Sequence, residues 1–169
     1  FSSKDNTIKL WEAETGQHES AEKHFQQAKA KVASLAEETI IHHLDMASFF
    51  RHRGRFDWAI EEYRAVTEMG LEEAVPFAQV GMAEMLHDLD RNREAAEALE
   101  VVLDLARQHK LRSLTDMEAS PEKIAARRHY MLACEEKRKG DMDAYRAELE
   151  RALQNDPEDI PLIIRLLDE

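Results

Sequence analysis

Between residues 54 and 66 the chain places small and large side chains at helical intervals: Gly54, Ala59, Tyr63 and Val66. A glycine, a small residue five positions on, an aromatic four further and a compact apolar residue three further describe one face of a helix that follows a turn. Gly54 suits the left-handed end of one helix, and Asp57 sits where a short acidic side chain holds the free amides of the next. Ala59 lets two backbones approach closely, and Tyr63 one turn later fills the widening gap. The pattern predicts an antiparallel helical hairpin.

The same spacing recurs. Gly16, Ala21, Phe25 and Ala28 form a first copy and Gly54, Ala59, Tyr63 and Val66 a second. Asp90, Ala95, Leu99 and Val102 form a third, and Gly140, Tyr145, Leu149 and Ala152, followed by Pro157, a fourth. On these residues the chain resembles the tetratricopeptide repeat family over roughly residues 17–157. That family's unit is about 34 residues, with a small, aromatic, small pattern on its second helix. The resemblance implies an all-α, right-handed solenoid of antiparallel hairpins. Asp90 stands in place of the turn glycine and Tyr145 in place of the small residue, and the intervals exceed the unit, so an irregular solenoid is expected.

In chain order, residues 1–16 admit two readings. In one they are the first helix of the array, with Asp5 or Asn6 as cap and Ile8, Trp11 and Thr15 on one side. In the other, Ser3 to Trp11 with Thr15-Gly16 resembles the closing strand of a WD-repeat propeller blade. The repeat domain is assigned to residues 17–169. A helix is expected from about His18 to Ala36, and another begins after Glu37-Glu38-Thr39 and carries Ile40, Leu44, Ala47 and Phe50. Helices then follow from about Phe56 to Met69, Glu72 to Leu89 and Asn92 to His109, with Pro76 near the start of its helix. Residues 110–120 break the rhythm and read as a loop insert. Ser120-Pro121 opens a helix to Lys139, Asp143 to Gln154 completes that hairpin, and an apolar helix at about 159–168 caps the open end.

Composition narrows the function classes. The 169 residues carry a net charge of −12, which repels phosphate backbones, so nucleic acid is not an expected partner. One cysteine, Cys134, forms no internal disulfide, and a cytoplasmic setting is expected. No run of 18 apolar residues is present, so no membrane span is expected. Phe1 in place of an initiator methionine points to a processed or longer parent chain.

Catalytic and metal chemistry find little support in the pattern. His42 and His43 point about 100° apart on a helix and cannot share one ion easily, and no His-Glu-x-x-His run occurs. Cys134 reads as a buried small hydrophobe, and neither a phosphate-cradling glycine loop nor a Gly-x-Ser-x-Gly elbow is found. The expectation is a non-enzymatic scaffold without catalytic residue, metal or cofactor.

The family resemblance implies a ligand on the concave face formed by the first helix of each hairpin. That face would present Leu44, Asp45, Ser48, Arg51 and His52, then Val80, Glu84, His87 and Asp88, then Arg127, Tyr130, Cys134, Lys137 and Arg138. Asp45, Ser48, Arg51, His52, Glu84, His87, Arg127, Tyr130, Lys137 and Arg138 are the candidate peptide-binding residues. Arg51, Lys137 and Arg138 offer donors to an acidic peptide. The Lys, Asn and Arg set with which some members of the family clamp a terminal carboxylate is missing at the matching positions. The alternative is a structural or assembly module, joining to itself through the apolar C-terminal helix or to a WD-repeat propeller in a larger protein.

Overall fold

The computed structural model describes the backbone of residues 2–108 and 120–168, with side chains from residue 20 onward except those at 160 and 166. All its regular elements are helices: α1 (Ser2–His52), α2 (Phe56–Glu68), α3 (Val75–Asp88), α4 (Asn92–Arg107), α5 (Pro121–Lys139), α6 (Met142–Asn155) and α7 (Ile160–Leu167). The predicted loop insert falls outside the described residues. The chain divides into two units, residues 1–41 and 42–169.

The first unit departs from expectation. Gly16 lies inside α1 and makes no turn, and the helix runs on through Glu37-Glu38-Thr39, so the first copy of the spacing does not form a hairpin. A helical glycine costs about 1 kcal/mol relative to alanine, and the Ala, Glu, Gln and Lys residues after it supply propensity against that cost. The Thr39 hydroxyl donates to the Leu35 carbonyl at 2.7 Å, bonding back into the helix instead of starting a new one. Phe25, expected to hold a hairpin, is 62% exposed. Residues 2–16 are helical too, so the closing strand of a blade is not formed there.

The second unit is a run of hairpins packed in chain order, α2 on α3, α3 on α4, α4 on α5, α5 on α6 and α6 on α7. Three equivalent turns set its register. Gly54, Asp90 and Gly140 all take positive φ, at 69°, 60° and 82°. In each, the following amide reaches back across the turn: Arg55 to the Phe50 carbonyl at 2.9 Å, Arg91 to Leu86 at 2.8 Å, and Asp141 to Glu136 at 3.0 Å. Asp90 thus occupies the glycine conformation, and its carboxylate accepts from Asn92 Nδ2 at 2.9 Å. Short polar side chains that bond locally tolerate this region best after glycine.

Counted from these turns, the core positions coincide. Ala47, Ala83 and Ala133 on the first helices are fully buried, as are Ala59 and Ala95 on the second, while Tyr145 at the matching place is 4% exposed. Tyr63, Leu99 and Leu149 follow one turn on, then Val66, Val102 and Ala152, all buried. Two hairpins share a further pin. His43 Nδ1 lies 2.6 Å from Glu62, and His129 Nδ1 lies 2.7 Å from Glu148, each pair 19 residues apart and in the same register. The middle hairpin has Gln79 and Ala98 there, and Gln79 Nε2 donates instead to the Thr67 hydroxyl on α2 at 3.3 Å. Helix starts follow local chemistry. Ser120 Oγ accepts from Lys123 N, Asp141 Oδ1 from Ala144 N and Asp159 Oδ1 from Leu162 N. Leu162 of α7 joins the buried cluster of Ala133, Tyr145, Leu149 and Ala152.

Candidate functional site

The last turns of α1, with α3 and α5, bring their polar faces to one groove. Its cavity of about 250 Å³ is bordered by Arg51, Glu84, His87, Arg127 and Tyr130, over apolar atoms of Val80, Ala83, Leu99 and Met131. Five of the ten sequence candidates therefore meet here. Glu84 stands between two guanidinium groups, Arg51 Nη1 at 2.9 Å and Arg127 Nη1 at 3.7 Å. One carboxylate on α3 links the first helices of three successive hairpins. Beneath Arg51, burial pushes the pKa of the Tyr63 hydroxyl upward; the Arg51 charge acts against that rise and Glu84 adds to it.

His87 is fixed from the turn below. Its Nδ1 lies 2.5 Å from Asn92 Oδ1, an amide oxygen that can only accept, so Nδ1 carries the proton. In the neutral ring, Nε2 is then an acceptor. The ring also meets Tyr130 edge-on, with centroids 5.7 Å apart. Asn92 itself is 2% exposed, so the groove histidine is anchored to the core through a turn residue.

A second cavity, about 260 Å³, lies on the other side of Tyr130 and is lined by Tyr130, Cys134, Lys137, Tyr145, Arg165 and Asp168. The Arg165 guanidinium lies 4.4 Å from the Tyr130 ring centroid, and Lys137 Nζ lies 5.0 Å from that of Tyr145. Burial raises the Cys134 thiol pKa, with Asp90 adding to the rise, which keeps the sulfur protonated and a poor nucleophile.

The other candidates lie elsewhere. Asp45 is exposed and borders neither cavity. His52 Nδ1 donates to the Ser48 carbonyl one turn back at 2.7 Å, an exposed pairing within α1. Arg138 forms a bidentate pair with Glu135 at 2.7 and 3.0 Å. Lys137 lines the second cavity and not the first. Arg165, Asp168 and Met131 were not among the candidates; the one signal for Arg165 was its position as a lone cation in an apolar tail. Among the described residues no group of three His, Cys, Asp or Glu is placed to hold a metal ion, and no helix is long and apolar enough to cross a membrane.

The model of one family, the tetratricopeptide repeat, matches residues 126–159. Residues 126–159 fit the pattern of a tetratricopeptide repeat. The match takes in most of α5, all of α6 and the start of α7's cap, and so includes Arg127, Tyr130, Cys134 and Lys137 of the two cavities. The hairpins before it repeat its turn and its buried small positions, so residues 42–168 read as a tetratricopeptide-like helical repeat. No curated protein matches the chain. The tetratricopeptide repeat suggests a protein–protein interaction module.

Proposed function

We propose that the chain is a non-enzymatic scaffold that receives a peptide or a segment of a partner protein in the groove between α1, α3 and α5. The observation that supports this reading is the placement of charged rims over an apolar floor. Arg51, Glu84 and Arg127 from three helices border a cavity whose floor is lined by the largely buried side chains of Val80, Leu99 and Met131. Such a combination gives a bound chain both burial and orientation. Side chains fixed by ion pairs and by the His87–Asn92 bond also limit the ordering cost of binding.

The test is a photo-crosslinking amino acid placed at position 87, compared with the same group at position 97, whose glutamate side chain is 68% exposed on α4. Adducts of defined mass from position 87 and none from position 97 are expected with the native partner pool. Equal adduct formation from both positions would reject the groove.

The assembly reading draws on a separate observation. Ile164 and Leu167 of α7 are 52% and 79% exposed, so the cap presents apolar surface outward. A mass that rises with concentration in sedimentation equilibrium, and that stays constant after Leu167→Lys, would support self-association through α7. A constant monomer mass in the unmodified chain would reject it.

A further inference from the structure

We propose that copies of the chain join head to tail, the outward side of α7 in one copy seating on the aromatic surface around the Gly54 turn of the next. This inference rests on the assembly reading above and names the surface that α7 meets. Phe49, Phe50 and Trp58 form a ladder of edge contacts, with successive ring centroids 5.6 and 5.2 Å apart. Phe49 and Trp58 are nevertheless 45% and 51% exposed. Scattered apolar residues on a surface are ordinary, whereas contiguous rings make a contact surface. Register shows what Phe49 lacks. It stands five residues before Gly54, as Met85 does before Asp90 and Glu135 before Gly140. Met85 and Glu135 are buried, and their helices, α3 and α5, each pack on the helix before, α2 and α4. Within the second unit, residues 42–169, no described helix precedes the last turns of α1.

Charge selects which surface covers the rings. The Arg53 and Arg55 guanidinium groups lie over Phe49 and Trp58, 4.0 and 3.9 Å from the ring centroids, and among the described residues no carboxylate pairs with either. Asp57 faces Arg91 at 4.0 Å and Asp45 stands one turn before Phe49, so the charges set on the rings themselves are the two guanidinium groups. A stacked guanidinium keeps its in-plane donors free for a carboxylate. At the other end Leu162 holds α7 to the buried cluster, while Ile164 and Leu167 are exposed. Asp168, next to Leu167 and one turn after Ile164, is exposed with them. Head on head would set Arg53 and Arg55 against their own copies, and tail on tail would do the same with Asp168. Head on tail brings unlike charges together beside apolar surface. Because the two surfaces differ, each contact leaves a free head and a free tail, and the association can repeat.

The test is complementation between two blocked chains, read by sedimentation equilibrium of the full chain. Trp58→Glu blocks the head and Leu167→Lys blocks the tail. The parent mass is expected to rise with concentration past that of two copies, and each variant alone should stay monomeric. Their equimolar mixture should reach the mass of one heterodimer and stop there, because one chain supplies the intact tail and the other the intact head. Arg53→Gln combined with Arg55→Gln keeps the rings and should weaken association of the parent about tenfold. Unaltered association in that double variant would overturn the charge pairing that selects head on tail. If Trp58→Glu loses helicity, Phe49→Glu takes its place with the same outcomes. Dimers formed by the head-blocked chain alone, or a monomeric mixture beside an associating parent, would overturn the head-to-tail contact and leave self-association through α7 standing. A parent that stays monomeric at every concentration removes the assembly reading itself, and this contact with it.

Discussion

Replacing Gly81 with alanine isolates a close approach between α2 and α3. A Cβ at this position would lie 2.5 Å from Tyr63 Cζ, 2.7 Å from Cε1 and 2.8 Å from the hydroxyl oxygen. Carbon pairs are comfortable at about 3.5–4.0 Å, so the ring would have to withdraw by about 1 Å. Tyr63 is 8% exposed, and its hydroxyl lies within reach of the Arg51 side chain, which leaves little room to move. Overpacking of this kind costs about 1–3 kcal/mol. Alanine regains about 0.8–1 kcal/mol of helix propensity over glycine. The difference is a net loss of about 1 kcal/mol, or a fall of about 2–4 °C in Tm for a chain of this size.

The sign of the effect is diagnostic. In a Tyr63→Leu background the atoms that clash are gone, so the same Gly81→Ala change should stabilise by the propensity term alone. Chemical denaturation of the four chains, the parent, each single variant and the double, closes the cycle, with a coupling of about 1–3 kcal/mol expected. If Gly81→Ala raises stability in both backgrounds alike, Tyr63 does not occupy the space above Gly81 and the α2–α3 packing described here is wrong.

Three further changes test the register. Gly54→Ala and Gly140→Ala force alanine to positive φ and should each cost about 1–2 kcal/mol, whereas Asp90→Gly should stay within about 0.5 kcal/mol, because relief at φ 60° offsets the bond lost from Asn92. Thermal melts of the three variants check this, and a large loss in Asp90→Gly would contradict it. The Arg138 pair holds the Glu135 carboxyl below its usual pKa. Its contribution is therefore present above the unfolded value near 4.3 and disappears as pH falls through the depressed folded value. Urea melts from pH 6 to pH 3 should show the parent losing about 0.5 kcal/mol more than Glu135→Gln, and parallel profiles would refute it. A double-mutant cycle on His129 and Glu148 should give a coupling of about 1 kcal/mol, and additive single effects would show that the 2.7 Å contact is not a pin.

The sequence showed most of what local chemistry determines. The hairpin turns at Gly54 and Gly140, the Ser120 cap and the buried Ala59, Tyr63, Ala95 and Leu99 all follow from residue type and spacing. Asp90 was visible as a departure but not as a solution, because its support comes from Asn92, which in turn holds His87. The first copy misled because small, aromatic, small spacing also occurs within one uninterrupted helix, where Phe25 is 62% exposed. Only the absence of a turn at Gly16 separates the two cases. In the groove, the family resemblance, which implies a face formed by the first helix of each hairpin, placed Arg51, Glu84, His87, Arg127 and Tyr130 on one surface. It could not show that Glu84 engages two of the cations, nor that Arg165, on a helix outside the repeat spacing, returns over Tyr130.

Glu84 consequently acts in the groove as an occupant supplied by the chain itself. An acidic ligand approaching Arg51 and Arg127 must displace a carboxylate already within 2.9 Å of one and 3.7 Å of the other. The exchange replaces like with like and gains little, so the middle of the groove selects for shape and apolar contact instead of negative charge. Glu84→Gln removes the competitor and leaves both guanidinium groups in place. These pairs are partly exposed, with side-chain exposures of 35% for Glu84 and 45% for Arg51, so the stability cost should remain below about 1 kcal/mol. The variant, titrated with N-acetylated, C-amidated tetraglutamate, should acquire saturable amide shifts at residues 51, 84 and 127 that the parent does not show. A loss of more than about 3 kcal/mol without new binding would mean that Glu84 is a strap between hairpins, and that the ion pairing in the groove is a consequence of packing instead of a selective surface.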